Sequence, residues 1–107
     1  MEHTEIKVGD ILSGTWGYSM TIPCFYKVTK VTPTGVKVIE LDKFMSQSGD
    51  GGYNQMGWEL PRLSSTRRGA TEQLARCIGE SYKIGSRYDA RYLRPWNGRP
   101  VWANYMD

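Results

Sequence analysis

The stretch Phe25-Tyr26-Lys27-Val28-Thr29-Lys30-Val31, then Thr32-Pro33-Thr34-Gly35, then Val36-Lys37-Val38-Ile39-Glu40-Leu41 leaves little freedom in how this chain folds. Both flanks are crowded with aromatic and β-branched residues, which fit a pleated, half-buried surface. Between them, Pro33 suits the second position of a four-residue turn through its fixed φ, and Gly35 is able to take positive φ. A β-hairpin is the expected result. The residues before it carry the same pattern. Ile6 and Val8 alternate ahead of a Gly9-Asp10 turn into Ile11-Leu12, which predicts a short strand that bends. In Ser13-Gly14-Thr15-Trp16-Gly17-Tyr18, glycines on either side of a large ring predict a bulge or a close backbone approach.

With 107 residues there is room for one core, since domains of this size bury roughly two-thirds of the surface their unfolded chains expose. A single domain over 1–107 is expected, and thirteen aromatics, four of them Trp, supply large buried areas for it. A strand entering through Val-Gly-Asp and followed by a tight hairpin resembles the start of many small SH3-like barrels. The expected fold class is therefore mainly β: a small, antiparallel, partly open SH3-like barrel, with one short helix or an additional strand before a C-terminal hairpin. Residues 42–69, with the polar, glycine-heavy Ser46-Gln47-Ser48-Gly49-Asp50-Gly51-Gly52, read as a loop-rich insertion before Tyr53, Met56 and Trp58 restore apolar content.

Two later segments carry the open questions of fold. Ala70, Leu74, Cys77 and Ile78 fit one helical face, with Ser65 or Thr66 as N-cap and Gly79 as a stop. The rival reading makes Leu74 to Ile78 a strand paired with Tyr82 to Ile84 across Gly79-Glu80-Ser81; the helix is preferred. At the C-terminal end, Asn97-Gly98 is the dipeptide favoured by a two-residue type I′ turn. That register pairs Trp96 with Arg99, Pro95 with Pro100, Arg94 with Val101, Leu93 with Trp102 and Tyr92 with Ala103. Pro95 and Pro100 then occupy a pair that needs no mutual N–H donors. Alternation assigns Leu93, Pro95, Pro100 and Trp102 to the core face. Tyr92, Arg94, Trp96, Arg99 and Val101 share the other.

Chemistry is constrained by what is missing. The sole histidine, His3, lies next to the chain start, so nucleophilic triads lack a rigidly held base. His3, Cys24 and Cys77 have no metal-type spacing, no phosphate-binding glycine signature is present, and no cofactor is implied. The cysteines are expected to be reduced and packed as small hydrophobes. Asp10, Glu40, Asp42 and Glu59 could converge as a carboxylate pair without leaving any linear signal. A non-enzymatic role is expected. No apolar run of about eighteen residues occurs, so no membrane partner is expected, and the localisation expected is the cytoplasm.

Net charge is +3, and its distribution says more than its size. Residues 61–107 hold eight Arg and one Lys against four acids, whereas residues 1–60 hold five Lys against seven acids and no Arg. Arginine offers a planar fork of donors and stacks on rings. The face of Tyr92, Arg94, Trp96 and Arg99 suits single-stranded nucleic acid or a nucleotide, with rings on bases and Arg on phosphates. The same residue types serve a protein partner equally well, or simply shield Trp96 by cation–π contact. Arg67, Arg68 and Arg91, with Arg76 and Arg87, could extend a positive surface, although a solvated face explains them too. Trp16-Gly17-Tyr18 reads as part of a ligand pocket or as a packed barrel corner.

Val8-Gly9-Asp10-Ile11-Leu12, Trp16-Gly17-Tyr18, Phe25-Tyr26-Lys27-Val28 and the terminal Pro95-Trp96-Asn97-Gly98-Arg99-Pro100-Val101 together resemble a group of small, largely uncharacterised phage and prophage proteins. These carry a W-G-Y segment before a Y-x-V strand and end in W-[DN]-G-[KR]-P. Where members have Asp-Gln-Thr after W-G-Y, this chain has Ser19-Met20-Thr21. The resemblance implies a phage setting inside a bacterial host, and an accessory role in binding nucleic acid, a nucleotide or a host protein such as an enzyme or defence system. It implies no mechanism, and it leaves the oligomeric state open.

Overall fold

The computed structural model describes residues 6–16, 21–48, 56–85 and 90–104, with backbone alone at 46–48 and 56. Its strands are β1 (Ile11–Trp16), β2 (Ile22–Thr32), β3 (Gly35–Ser48), β4 (Met56–Thr66), β5 (Gln73–Ile78), β6 (Ser81–Ile84), β7 (Arg91–Pro95) and β8 (Val101–Asn104). Among the described residues there is no helix, and hence none long and apolar enough to cross a membrane.

The mainly β, antiparallel barrel expected from the sequence is present, and it closes rather than staying partly open. Six strands pair in the order β1, β7, β6, β5, β3, β2, and β2 returns to β1. Each barrel strand sends at least one fully buried side chain inward: Leu12, Val28, Val38, Ala75, Tyr82 and Leu93 are all 0% exposed. Full burial of a leucine contributes about 1.5–3 kcal/mol, so this ring of contacts dominates what holds the barrel shut. Closure also needs strands to approach tightly. A Cβ on Gly14 would lie 2.6 Å from the Tyr92 carbonyl oxygen, so a side chain there would push β1 off β7. That is the close approach expected at this glycine.

The β2–β3 hairpin forms where expected, with Thr32 opposite Gly35 across Pro33-Thr34. Its glycine serves a different purpose. Gly35 is not among the glycines of positive φ; instead its backbone is pressed against the Ala75 carbonyl of β5, where a Cβ would collide. At the start of the chain, Gly9 turns at a φ of 97° as expected, but the strand begins at Ile11, and Ile6 is buried without belonging to one.

Three expectations fail. Of the two readings of 64–80, the preferred helix fails and the rival strand pairing holds: β5 and β6 are joined by Gly79, at a φ of 60°, and Glu80, with Ile78 opposite Ser81. Leu74 and Ile78, which a helix would have buried on one face, are each 49% exposed. β5 wins because it satisfies its backbone on both sides, against β3 and β6. Next, the described parts of 42–69 are largely strand, not loop: β3 runs on to Ser48 and pairs with β4, with a register shift that sets Arg62 to Ser65 opposite Asp42 alone, between the Leu41–Thr66 and Lys43–Pro61 pairs. The middle of that segment, 49–55, lies outside the described residues, as do Gly17, Tyr18 and Arg87.

The C-terminal hairpin is the third. β7 already has β6 on one side and β1 on the other, so β8 has no place beside it and pairs with β4 in a second, smaller sheet of β3, β4 and β8. A type I′ turn would need positive φ at both central residues, and Gly98 alone has it. Residues 96–100 are instead a crossing between sheets, tightened by the Trp96 indole donating to the Arg99 carbonyl at 2.7 Å and the Arg99 N–H donating to Asn97 Oδ1 at 2.9 Å. Of the residues assigned to the hairpin's core face, only Leu93 is buried; Pro95, Pro100 and Trp102 are exposed. The small sheet lies over β2, burying Phe25 and Ala103, and its inner Lys43 bonds Glu59 at 2.9 Å and the Pro23 carbonyl at 2.7 Å.

Candidate nucleic-acid interface

Alternation along the barrel strands decides which side chains point outward, and register decides which of them meet. Cys77, Tyr82 and Leu93 follow one another across β5, β6 and β7 on the inner face. One residue along, Arg76, Lys83 and Tyr92 follow one another on the outer face, with Arg94 two residues further on β7 beside Ser13 of β1. Neighbouring strands are about 4.8 Å apart, so the row from Arg76 to Tyr92 is about 10 Å wide. Among the described residues, the outward positions of β5, β6 and β7 carry these cations and Tyr92 beside apolar Leu74 and Ile78, and no carboxylate.

Like charges directly opposite on neighbouring strands are destabilising, by some fraction of about 1 kcal/mol. Arg76 and Lys83 are such a pair, and neither has an ion-pair partner among the described residues. The Lys83 ammonium lies 6.0 Å from the Tyr92 ring centroid, at the far limit of a cation–π contact, and Tyr92 remains 55% exposed. Among the described residues, the outer face of β5, β6 and β7 is thus positively charged, without an acid on it, and provided with one ring.

The residues singled out from the sequence divide between this face and other places. Tyr92 and Arg94 are on it, and Arg99 and Arg68 are exposed elsewhere, in the 96–100 crossing and just after β4. Trp96 is half-buried, edge-on to the buried Phe25 at 6.0 Å with its N–H engaged, so its ring is a packing element rather than a free platform. Arg67 and Arg91 are committed to Glu40. The Arg67 Nη1 lies 3.2 Å from Glu40 Oε2, and Arg91 Nη1 lies 3.8 Å from the same oxygen while donating to the Tyr26 hydroxyl at 2.9 Å. The Arg91 guanidinium also lies 4.5 Å from the centroid of the Trp16 ring. Arg91, Glu40 and Tyr26 form one cluster, which Arg67 joins from the surface with its side chain 58% exposed. Burial pushes the Cys24 thiol there from 9.0 up to about 11 and the Tyr26 hydroxyl from 10.0 up to about 12, outweighing the lowering pull of Arg91.

The four carboxylates considered as a converging pair have separate partners: Asp10 accepts from the Lys7 N–H, Glu40 from Arg67, Asp42 from the Ser65 hydroxyl, and Glu59 pairs with Lys43. Both cysteines are free thiols. Lys83 is not visible as a site residue in the sequence, because its position beside Arg76 and Tyr92 exists only through strand pairing. A second exposed surface is equally hidden. On the outer side of the small sheet, Trp58 and Trp102 form an edge-to-face pair at 5.2 Å, each about 40% exposed, and Arg62 covers the Phe44 ring at 4.9 Å.

No protein-family model, curated protein or solved structure matches this chain.

Proposed function

We propose that this chain is a non-enzymatic binding protein that holds a single-stranded nucleic acid on the outer face of β5, β6 and β7. Arg76, Lys83 and Arg94 neutralise phosphates, and the exposed ring of Tyr92 stacks on a base. The observation that carries this reading is the unmatched cross-strand pair of Arg76 and Lys83, a repulsion that a polyanion relieves. The terminal motifs add a phage or prophage setting, in which such a protein would act as an accessory factor.

Titration of a fluorescent single-stranded oligonucleotide against the protein, followed by anisotropy at several salt concentrations, tests it. Three phosphate contacts give a slope of log affinity against log salt of about −2, and each cation removed takes away about 0.7 of that. Absence of binding, or binding insensitive to salt and to loss of Arg76, Lys83 and Arg94, rejects the reading.

The small sheet favours a second reading, a protein partner, because exposed Trp and Arg are among the residues that dominate protein interfaces. In that case Trp58→Ala removes binding to one defined host protein and leaves oligonucleotide affinity unchanged.

A further inference from the structure

The cationic row begins at a cleft. Thr34 of the β2–β3 turn and Arg76, Cys77 and Ile78 of β5 line a cavity of about 410 Å³, within the range of about 300–1,000 Å³ usual for small-molecule sites. Arg76 belongs to both: it faces the cleft and starts the row that continues through Lys83 to Tyr92. We infer that this cleft receives one unstacked base of the strand whose phosphates lie on the row, an inference that rests on the reading proposed above.

The lining suits a flat, polar-edged ring. Ile78, half-exposed, offers apolar contact, as does Cys77, which packs on the barrel core yet is not fully buried; the Thr34 hydroxyl offers a hydrogen bond to a base edge; the Arg76 guanidinium offers a plane for stacking. Beside it the backbone is fixed: Gly35, directly opposite Arg76, is pressed against β5, and the Cys77 N–H donates to the Thr34 carbonyl at 2.9 Å. None of the four lining residues is acidic. A base that leaves its neighbours to enter this cleft keeps its own phosphate beside Arg76 and Lys83, where the charge is unmatched.

Cys77 provides a built-in reporter, since Cys24 is 1% exposed and reacts with Ellman's reagent only on unfolding. Thiol modification of the intact protein is followed alone, with a saturating single-stranded oligonucleotide, and with a polymer of the same length in which every base is removed and the sugar-phosphate chain kept. The oligonucleotide is expected to slow Cys77 modification by about tenfold and the abasic polymer to leave it unchanged. Ile78→Ser is expected to weaken oligonucleotide binding by about fivefold, the low end for loss of one stacked base, without altering abasic-polymer binding. An oligonucleotide that saturates the protein by anisotropy yet leaves Cys77 unprotected overturns the cleft while the row stands. Equal protection by the abasic polymer overturns the base as occupant. No binding of either polymer overturns the cleft and the row together.

Discussion

Two groups of arginines in this barrel have opposite electrostatic settings. In one cluster, Arg67 and Arg91 converge on Glu40, with Tyr26 and Trp16 taking further donors and a face of Arg91. On the outer wall, Arg76 and Arg94 stand with Lys83 around Tyr92 and meet no carboxylate among the described residues. The same residue type, in the same half of the sequence, is structural in one place and available in the other. What separates them is the direction in which a strand position points and what its cross-strand neighbour carries. Arg91 and Tyr92 are adjacent in the chain and belong to different sides of that division.

Alkali is expected to produce the largest effect, and to act through the buried Cys24, Tyr26 and Tyr82 rather than through the outer arginines. Burial raises the Cys24 thiol to about 11 and the Tyr26 hydroxyl to about 12. Between pH 9 and pH 12 the unfolded chain gives up these protons while the folded one keeps them, so the folded state binds more protons and its stability falls as pH rises. Below pH 9 the contribution is fully present. Urea melts at pH 7, 9 and 11 are expected to show this loss, and Cys24→Ala is expected to shift its onset upward, to the Tyr26 range.

Arg91→Leu is next in size. It leaves the mostly buried Glu40 carboxylate with Arg67 alone and the Tyr26 hydroxyl without its donor, at an expected cost of about 2–3 kcal/mol in urea denaturation. Arg94→Leu, made in the same strand three residues later on the outer face, is expected to change stability by no more than about 0.5 kcal/mol. Equal costs for the two would erase the distinction between inner and outer arginines.

How much of this can be read in the sequence follows from how local each signal is. The hairpin of β2 and β3 is legible because its strand propensity and turn residues are contiguous. The reason for Gly35 is not, as its closeness to Ala75 is a contact across 40 positions and not a turn requirement. Residues 70–78 mislead because Ala70, Leu74, Cys77 and Ile78 fall at helical spacing by coincidence, and competition between helix and strand is settled by β3 and β6 offering partners on both edges. Asn97-Gly98 misleads in the reverse way. A strong local turn preference loses to a strand, β7, whose two edges are already taken. Tyr92 and Arg94 stand out as candidate site residues because alternation within one strand is local; Lys83 does not, because its neighbours are distant in the chain.

The smallest expected effect is also the most direct test. Lys83→Thr removes one member of the repelling pair and places a β-branched residue on the outside of β6. Folding free energy and oligonucleotide affinity are then measured on the same preparation at low salt. An unmatched row predicts opposite signs: stability rises by a few tenths of a kcal/mol as the repulsion is lifted, while affinity falls. A variant that is less stable, with oligonucleotide affinity unchanged, would contradict it.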